Sequence, residues 1–310
     1  MASPLRSGTL DPFFLNLDTL YQQGYMAGES TYQQWTQTVT SSGKSTIHGW
    51  MDKFPKLREW IGPRQVETIV AQVYQLTNKK FELTVGVSRT DIEDDLMNLY
   101  GPMAQMMGMQ TAEWPDDQMT PVLEAGTTNT TFDGADFFSA SHPIDTAGET
   151  TSSTQSNLFT TNAFNAANLA TARSNMRLLK GRDNKPLGMN LKAVMVPPQL
   201  EQSALQLANT EYIVATFGVN SATGSQSNVL KGSFTPIVNA KLTSSTTWYG
   251  FDNRWPIKGL IWQLRIAPEF TLKVNPDSEN VFNDDEFLMG VRARGVGGYG
   301  LWFMACQNTA

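Results

Sequence analysis

Acidic side chains are the residues best suited to chemistry in this sequence. Carboxylates ligate hard cations, or work in pairs as general acid and base. Six of them lie in two short groups that a metal site or a hydrolase would use: Asp91, Glu93, Asp94, Asp95, Asp116 and Asp117. Both groups also follow patterns typical of helix starts, where free backbone N–H groups stabilise carboxylates. The sequence favours this structural role, and a carboxylate-dependent, β-rich hydrolase stays open as an alternative.

Other residues suited to catalysis or ligand binding are scarce. The chain has two histidines, His48 and His142, and one cysteine, Cys306, which leaves little material for acid–base, thiol or zinc chemistry. His142 is predicted to be a structural loop residue, and Cys306 a small buried apolar one. The glycine-rich segment 295–300 joins two predicted strands, so a turn or bulge is a better interpretation than a phosphate-binding loop. The sequence predicts no enzyme, no cofactor and no metal ion.

The composition is that of a folded chain. The 310 residues are 40% hydrophobic and 17% charged, with a formal net charge of −6. This length is enough for one large domain or two ordinary ones, and the 24 glycines and 15 prolines disfavour a helical bundle. Residues 1–20 show neither a signal-peptide pattern nor a membrane anchor, so a cytoplasmic protein without a membrane partner is expected. The bases between residues 173 and 192 could contact phosphate, but the net charge disfavours a dedicated nucleic-acid binder.

Charge is segregated along the chain. Residues 90–172 contain 12 acids and neither Lys nor Arg, whereas residues 44–89 contain eight bases and four acids. Opposite charges in neighbouring segments can pair inside one folded chain. In a symmetric assembly, the basic segment of one copy can instead dock on the acidic segment of the next. The sequence does not choose between these two arrangements.

Two elements flank the junction between the basic and acidic segments. Residues 81–87 alternate between apolar and polar side chains, which predicts a strand with one covered face. The run 66–77 is rich in Val and Ile, and Asn78-Lys79-Lys80 supplies turn residues, so a long hairpin is expected. From Asp91 the apolar spacing changes to three and four, which predicts an amphipathic helix kinked or split at Gly101-Pro102. The residues on that apolar face are Ile92, Leu96, Leu99, Met103 and Met106.

The remaining segments indicate a mixed α+β chain. Residues 1–50 are predicted to be an extended arm with short helical pieces, and 127–162 a loop rich in Thr, Ser and Asn. Helical patterns at 163–180 and 199–213 flank a short strand at 191–196. The last fifty residues contain four alternating runs, which predict strands that begin near Leu260, Phe270, Phe287 and Tyr299.

Several short motifs in a fixed order resemble the major head subunits of Mu-like tailed bacteriophages. They are PKLREWIG at 55–62, NKKFE at 78–82, RTDIEDD at 89–95, FDG at 132–134, Phe137-Phe138 and His142-Pro143. The resemblance covers most of residues 50–305 and is weakest over 1–45. Each motif is short and has no chemistry of its own, so their order carries the resemblance.

The resemblance implies a Hong Kong 97-like capsid fold of the α+β class. On that plan, residues 1–50 form an N-terminal arm and 51–90 an extended hairpin loop. Residues 91–162 form a peripheral domain, with a spine helix at about 91–125, and 163–258 an axial domain. Residues 259–310 supply the C-terminal strands that complete the peripheral domain.

The resemblance also implies a major capsid protein that self-assembles, as pentamers and hexamers, into an icosahedral head shell. The shell would enclose double-stranded DNA without sequence-specific binding, and would need a separate scaffold protein and a portal. The subunit would be found in the virion head and, during assembly, in the host cytoplasm. Another phage structural part, such as a tail-tube protein, is a further alternative, and no covalent cross-link is predicted. Because the extended loop of this fold lies over an adjacent subunit, the expected inter-subunit contacts are Arg58, Arg64, Lys79, Lys80, Arg89, Asp91, Glu93, Asp94, Asp95, Asp116 and Asp117.

Overall fold

The fold is described from a computed structural model that covers most of the chain. The described residues are 7–51, 71–93, 99–144, 154–181, 184–217, 222–275 and 278–310. These segments form helices and strands in a mixed arrangement, with two main β-sheets and two long helices.

The described residues form seven α-helices, of which the first and fourth are much the longest. They are α1 (Ser7–Ala27), α2 (Tyr32–Trp35), α3 (Arg89–Glu93), α4 (Tyr100–Glu124), α5 (Ala166–Leu178), α6 (Glu201–Asn209) and α7 (Glu279–Asp284). The helical patterns predicted at 163–180 and 199–213 are confirmed by α5 and α6.

Fifteen strands lie in the same segments. They are β1 (Thr36–Thr40), β2 (Ser45–Met51), β3 (Ala71–Thr77), β4 (Lys79–Ser88), β5 (His142–Pro143), β6 (Thr154–Gln155), β7 (Leu158–Phe159), β8 (Ala193–Val196), β9 (Tyr212–Phe217), β10 (Ala222–Ser227), β11 (Thr235–Val238), β12 (Trp248–Phe251), β13 (Leu260–Lys273), β14 (Glu286–Tyr299) and β15 (Ala305–Asn308).

The first main sheet, which we call the four-stranded sheet, has the order β1-β13-β14-β4. Strand β1 runs parallel to β13, and the other pairs are antiparallel. Alternate residues of β14, such as Phe287 and Met289, are buried against Phe14, Leu17 and Ala104 of the long helices. This burial explains the period of two in the sequence, and it confirms the strands predicted at 81–87 and from Phe287. The two strands predicted from Leu260 and Phe270 are one continuous strand, β13.

The second main sheet has the order β11-β8-β12-β15-β7. The predicted strand 191–196 is confirmed by β8, whose four residues are all buried. The run from Tyr299 is interrupted, because a 3-10 helix at Trp302–Met304 leads the chain out of the first sheet. The last strand, β15, then pairs with β12. The final residues therefore lie in the sheet built by 193–251 rather than beside β13 and β14.

The predicted hairpin between 66–77 and 81–87 is wrong in its pairing. Strand β3 pairs antiparallel with β2. Strand β4 follows β3 directly in the chain but pairs with β14. Asn78, expected in the turn, is buried where β3 passes into β4. Its backbone N–H donates to Lys44 O (3.0 Å), and its Oδ1 accepts from Gln263 Nε2 (2.8 Å). Alternation predicts a strand but not its partner.

The first fifty residues contain a longer helix than the short helical pieces predicted. Helix α1 has 21 residues and lies along α4. Gly24 lies against Gln105, and Gly28 against Met109, so the two helices run parallel. A Cβ on Gly24 would lie 2.0 Å from the Gln105 carbonyl oxygen. Glycine is therefore required for this close backbone approach.

The face of α4 that the sequence marked as apolar is not the buried one. Leu99 and Met106 are 60% and 61% exposed, whereas Ala104, Met107 and Gly108 are buried. Small residues let α1 cover the opposite side, and hydrophobicity alone cannot predict that choice. Gly101-Pro102 lies in the first turn of α4, where a missing N–H is tolerated.

Two predictions about local starts and turns are also wrong. Asp116 and Asp117 lie inside α4 rather than at a helix start, because Pro115 is accommodated within the helix. The glycine-rich segment 295–300 is largely part of β14 rather than a turn or bulge. A Cβ on Gly297 would lie 2.6 Å from Met119 Sδ. Its glycine allows α4 to pack closely on the sheet.

Candidate functional site

The described residues among the predicted inter-subunit contacts fall at different places on the structure. Lys79 and Lys80 begin β4 and are exposed, whereas Arg89 lies at the other end of the same strand, where α3 begins. Asp91 is exposed in the first turn of α3, and Glu93 is its last residue. Four other predicted contacts lie outside the described residues: Arg58, Arg64, Asp94 and Asp95.

Strand β4 places Lys80 beside the bases of β14 on the solvent-facing side of the four-stranded sheet. Lys80 is directly opposite Arg294, and Glu82 directly opposite Arg292. Arg292 also has Glu269 of β13 opposite it on its other side. Directly opposed like charges destabilise a sheet, and opposite charges stabilise it. The pair of Lys80 and Arg294 is therefore unfavourable in the isolated chain.

A third strand adds a base at the same level. Arg265 lies in an irregularity of β13, between the register pairs Leu264↔Gly295 and Ile266↔Arg294. One of its guanidinium nitrogens donates to Ser41 O (2.8 Å). The Nε atoms of Arg265 and Arg294 are buried without a hydrogen-bond partner among the described residues. Strand register brings these bases together, so no local sequence pattern could have identified this group.

The opposite end of the four-stranded sheet is acidic. Glu286 begins β14 opposite Ser88, the last residue of β4. Asp284 and Asp285 precede it, and both are exposed. The backbone N–H of Arg89 donates to Asp285 O (2.9 Å), which fixes the start of α3 beside them. This end also includes Asp91 and Glu279.

The acids of α4 are bound within the chain. Asp116 is 4% exposed and accepts hydrogen bonds from Ser30 Oγ (2.9 Å), Thr31 N (2.8 Å) and Thr31 Oγ1 (3.0 Å). It therefore fixes the two residues that precede α2 to α4. Glu113 binds Lys241 Nζ at 2.9 Å, and Asp117 binds the same nitrogen. Burial alone would lower the pKa of Lys241, but these two carboxylates outweigh it and raise that pKa.

A buried polar group joins the base of the β2–β3 hairpin to the four-stranded sheet. Asn78 Nδ2 donates to Ser41 Oγ and Gly43 O, both at 2.9 Å. Gln263 Oε1 lies 2.8 Å from His48 Nε2. Gln263 Nε2 donates to Asn78 Oδ1. The position where β3 passes into β4 is therefore fixed by side chains from β2, β13 and the loop before β2. The sequence assigned Asn78 to a turn and missed this role.

His142 has the structural role that the sequence predicted. Its ring is fully buried and stacks on Trp302, with ring centroids 3.7 Å apart. Its Nδ1 lies 2.7 Å from Asp133 Oδ2, and its Nε2 lies 3.1 Å from Asn157 Oδ1. Burial alone would raise the pKa of Asp133, but hydrogen bonds from His142 and Thr131 outweigh it and lower that pKa.

Cys306 is fully buried, as predicted, and desolvation raises its pKa to about 12. A thiol with such a pKa is not a reactive nucleophile. Among the described residues, no three His, Cys, Asp or Glu side chains group in a way that could hold a metal ion. No helix in that same part of the chain is long and apolar enough to cross a membrane.

Comparison with known proteins identifies a family. The sequence matches the family described as Mu-like prophage major head subunit gpT over residues 10–163, 159–238 and 228–310. It is 29% identical over 285 residues to the major capsid protein of Escherichia phage Mu. That alignment covers 92% of this chain and 68% of the Mu protein.

Solved structures agree with the sequence matches. The fold is similar to a chain of the procapsid of bacteriophage JBD30, with a TM-score of 0.63 and 30% identity. The match covers 99% of this chain and 76% of the JBD30 chain. It is also similar to a chain of the capsid structure of cyanophage P-SCSP1u, with a TM-score of 0.59 at 10% identity, over 91% of this chain and 88% of that one. The fold is thus of the Hong Kong 97-like capsid type that the family resemblance implied.

Proposed function

We propose that this chain, which belongs to the family of Mu-like prophage major head subunits, assembles through pentamers and hexamers into an icosahedral shell. The single observation that carries this proposal is its similarity to a procapsid subunit over 99% of its length. The protein acts as a structural subunit of the virion head and has no catalytic role. The alternatives of a hydrolase and of a tail-tube protein are set aside on the same comparison.

The placement of the acids also supports a structural role. The carboxylates that a hydrolase would use lie on separate elements, with Asp91 on α3 and Asp116 inside α4. Asp116 already accepts three hydrogen bonds within the chain, and Asp117 is bound to Lys241. Side chains engaged in this way stabilise the subunit, because a buried carboxylate needs its partners.

The partners that we propose follow from assembly of a shell. Double-stranded DNA is enclosed without sequence-specific contacts, and a net charge of −6 limits attraction to packaged phosphate. A separate scaffold protein guides the shell, and a portal occupies one vertex. Assembly takes place in the host cytoplasm.

The contacts between copies are proposed to use the segregated charges. Arg58, Arg64, Lys79 and Lys80 of one copy would face the acidic residues 91–95 of an adjacent one. Exposed ion pairs are worth less than about 1 kcal/mol each, and a shell repeats each of them many times. Weak repeated contacts favour correct closure, since a misplaced copy can dissociate.

The test is to purify the full chain and follow its assembly by light scattering, sedimentation and negative-stain electron microscopy. Low salt and a crowding agent favour association. Closed shells, with pentamers or hexamers as smaller species, are the expected result. Open tubes would support a tail part instead. A compact monomer under every condition would contradict the proposal.

A further inference from the structure

The basic end of the four-stranded sheet is defined by Lys44, Lys79, Lys80, Arg265 and Arg294. These residues come from β4, β13, β14 and the loop before β2, and they meet where β4 begins. None of the five has a carboxylate within ion-pair distance among the described residues. The Nε atoms of Arg265 and Arg294 are buried there without an acceptor. The three lysines of this group are exposed, so positive charge remains on the surface for an anion to neutralise.

The acidic end of the same sheet is defined by Asp91, Glu279, Asp284, Asp285 and Glu286. Strand β4 has ten residues, so the two ends lie about 30 Å apart. Within the described part of the chain, these five carboxylates form no ion pair. Arg89 and Lys273 reduce the negative charge of this end without reversing it. The sheet is therefore electrically polar along its strands.

We propose that the basic end of the four-stranded sheet in one copy binds the acidic end of the same sheet in the next copy. This inference rests on the proposed function and names the surfaces through which copies meet. A head-to-tail contact of this kind joins different patches of identical chains, and it closes when the rotation between copies allows a ring. It also supplies carboxylates to Lys80 and Arg294, whose mutual repulsion is not relieved within the chain.

As a binding partner, a second copy accounts for both charged ends of the sheet, whereas a nucleic acid accounts only for the basic end. Phosphate would satisfy the basic end, but it would be repelled by the acidic end of the same sheet. A second copy satisfies both ends with one contact. It also explains why the bases and acids lie at opposite ends of one rigid element, which fixes the distance between successive contacts.

The experiment is a charge swap in the full-length chain. One variant reverses the basic end (Lys80→Glu with Arg294→Glu), a second reverses the acidic end (Asp284→Lys with Glu286→Lys), and a third carries all four changes. We expect each double variant to lower the assembled fraction about tenfold or more, because like charges then meet. The four-fold variant should recover assembly, since its reversed ends are again complementary. Sedimentation velocity measures the assembled fraction.

Single neutral variants provide a matched control. Arg292 and Arg294 lie two residues apart on the same strand and on the same face. The strand register places a glutamate opposite Arg292 on each side, outside ion-pair distance, and a lysine opposite Arg294. Arg294→Gln should reduce assembly, whereas Arg292→Gln should assemble like the wild type. If a charge-reversed chain does not fold by circular dichroism, this neutral pair alone decides the question.

The outcomes separate this inference from the proposed function. If the wild type forms shells and the basic-end variants form them equally well, the head-to-tail contact is wrong and the shell function stands. If the four-fold variant assembles no better than either double variant, the two ends do not meet. The variants could instead assemble normally but bind less DNA than the wild type, measured as DNA that a nuclease removes from the particles. In that case the basic end binds phosphate. If the wild type never assembles, both proposals fall together.

Discussion

Helix α4 and the four-stranded sheet differ in whether their charged side chains have partners within the chain. Asp116 and Asp117 of α4 find their partners in the same chain, at Thr31 and Lys241. Lys80 and Arg294 of the sheet find another base opposite. The two regions are in contact, because alternate residues of β14 pack against α1 and α4. One subunit therefore has one internally neutralised region and one region with open charges.

This difference assigns different tasks to the two regions. Charges satisfied within a chain contribute to folding, and their removal leaves unpaired buried groups. Charges left open contribute little or negatively to folding, and they gain partners only on association. Substitutions in α4 should therefore change the stability of the isolated chain. Substitutions at the ends of the sheet should instead change assembly.

The largest effect is expected at Asp116. Asp116→Ala should lower the free energy of unfolding by about 3 kcal/mol, because Thr31 N–H and two hydroxyl groups lose their acceptor in a buried place. Denaturant unfolding of the dissociated chain measures this change. Asp117→Ala is the matched control, and it should cost less than about 1 kcal/mol because its carboxylate is half exposed. Equal costs for the two variants would show that the buried Asp116 contributes no more to stability than the half-exposed Asp117.

A smaller effect is expected at Asp133. Asp133→Asn places an amide N–H against His142 Nδ1 and should cost about 2 kcal/mol near neutral pH. The pKa of Asp133 is lowered by folding, so its contribution is complete above the unfolded value of about 4 and is lost as the pH falls through the folded pKa. The wild type should therefore lose stability below about pH 4 more steeply than the variant. Parallel curves would show that the carboxylate is not what stabilises the loop.

The sequence predicted local structure better than it predicted partners. The alternation at 81–87 and in the last fifty residues identified β4, β13 and β14, since a half-buried strand has a period of two. The same alternation cannot say that β3 pairs with β2. That partner depends on Asn78, which fixes the junction with β4 through Gln263, 185 residues away.

The candidate site shows the same limit. Charge segregation pointed to Lys79 and Lys80, and the structure places them at one end of β4. The sequence did not separate them from Arg89, which lies at the opposite end, and it did not find Arg265 or Arg294. Those two arginines join the group only through the register of β13 and β14. Long-range register is a property of the folded sheet rather than of any local pattern.

A modest effect is expected at Lys241. Lys241→Gln removes its ion pairs with Glu113 and Asp117, which are partly exposed, so the loss should be about 1 kcal/mol or less. The loss should shrink as salt rises, because ions screen exposed pairs. Denaturation at low and high salt measures the difference. A loss that does not depend on salt would indicate that the lysine stem packs rather than pairs.

The smallest effect on the free energy of unfolding is expected at the four-stranded sheet, where one substitution should stabilise the chain rather than destabilise it. Arg294→Gln relieves the repulsion from Lys80, and it should stabilise the dissociated chain by about 0.5 kcal/mol. Arg292→Gln removes a base that lies between Glu82 and Glu269, and it should destabilise the chain by a similar amount. Thermal unfolding of both variants beside the wild type shows which variant is more stable and which is less stable than the wild type. If Arg294→Gln destabilises the chain, its guanidinium contributes to folding, and its place opposite Lys80 no longer argues for a partner in another copy.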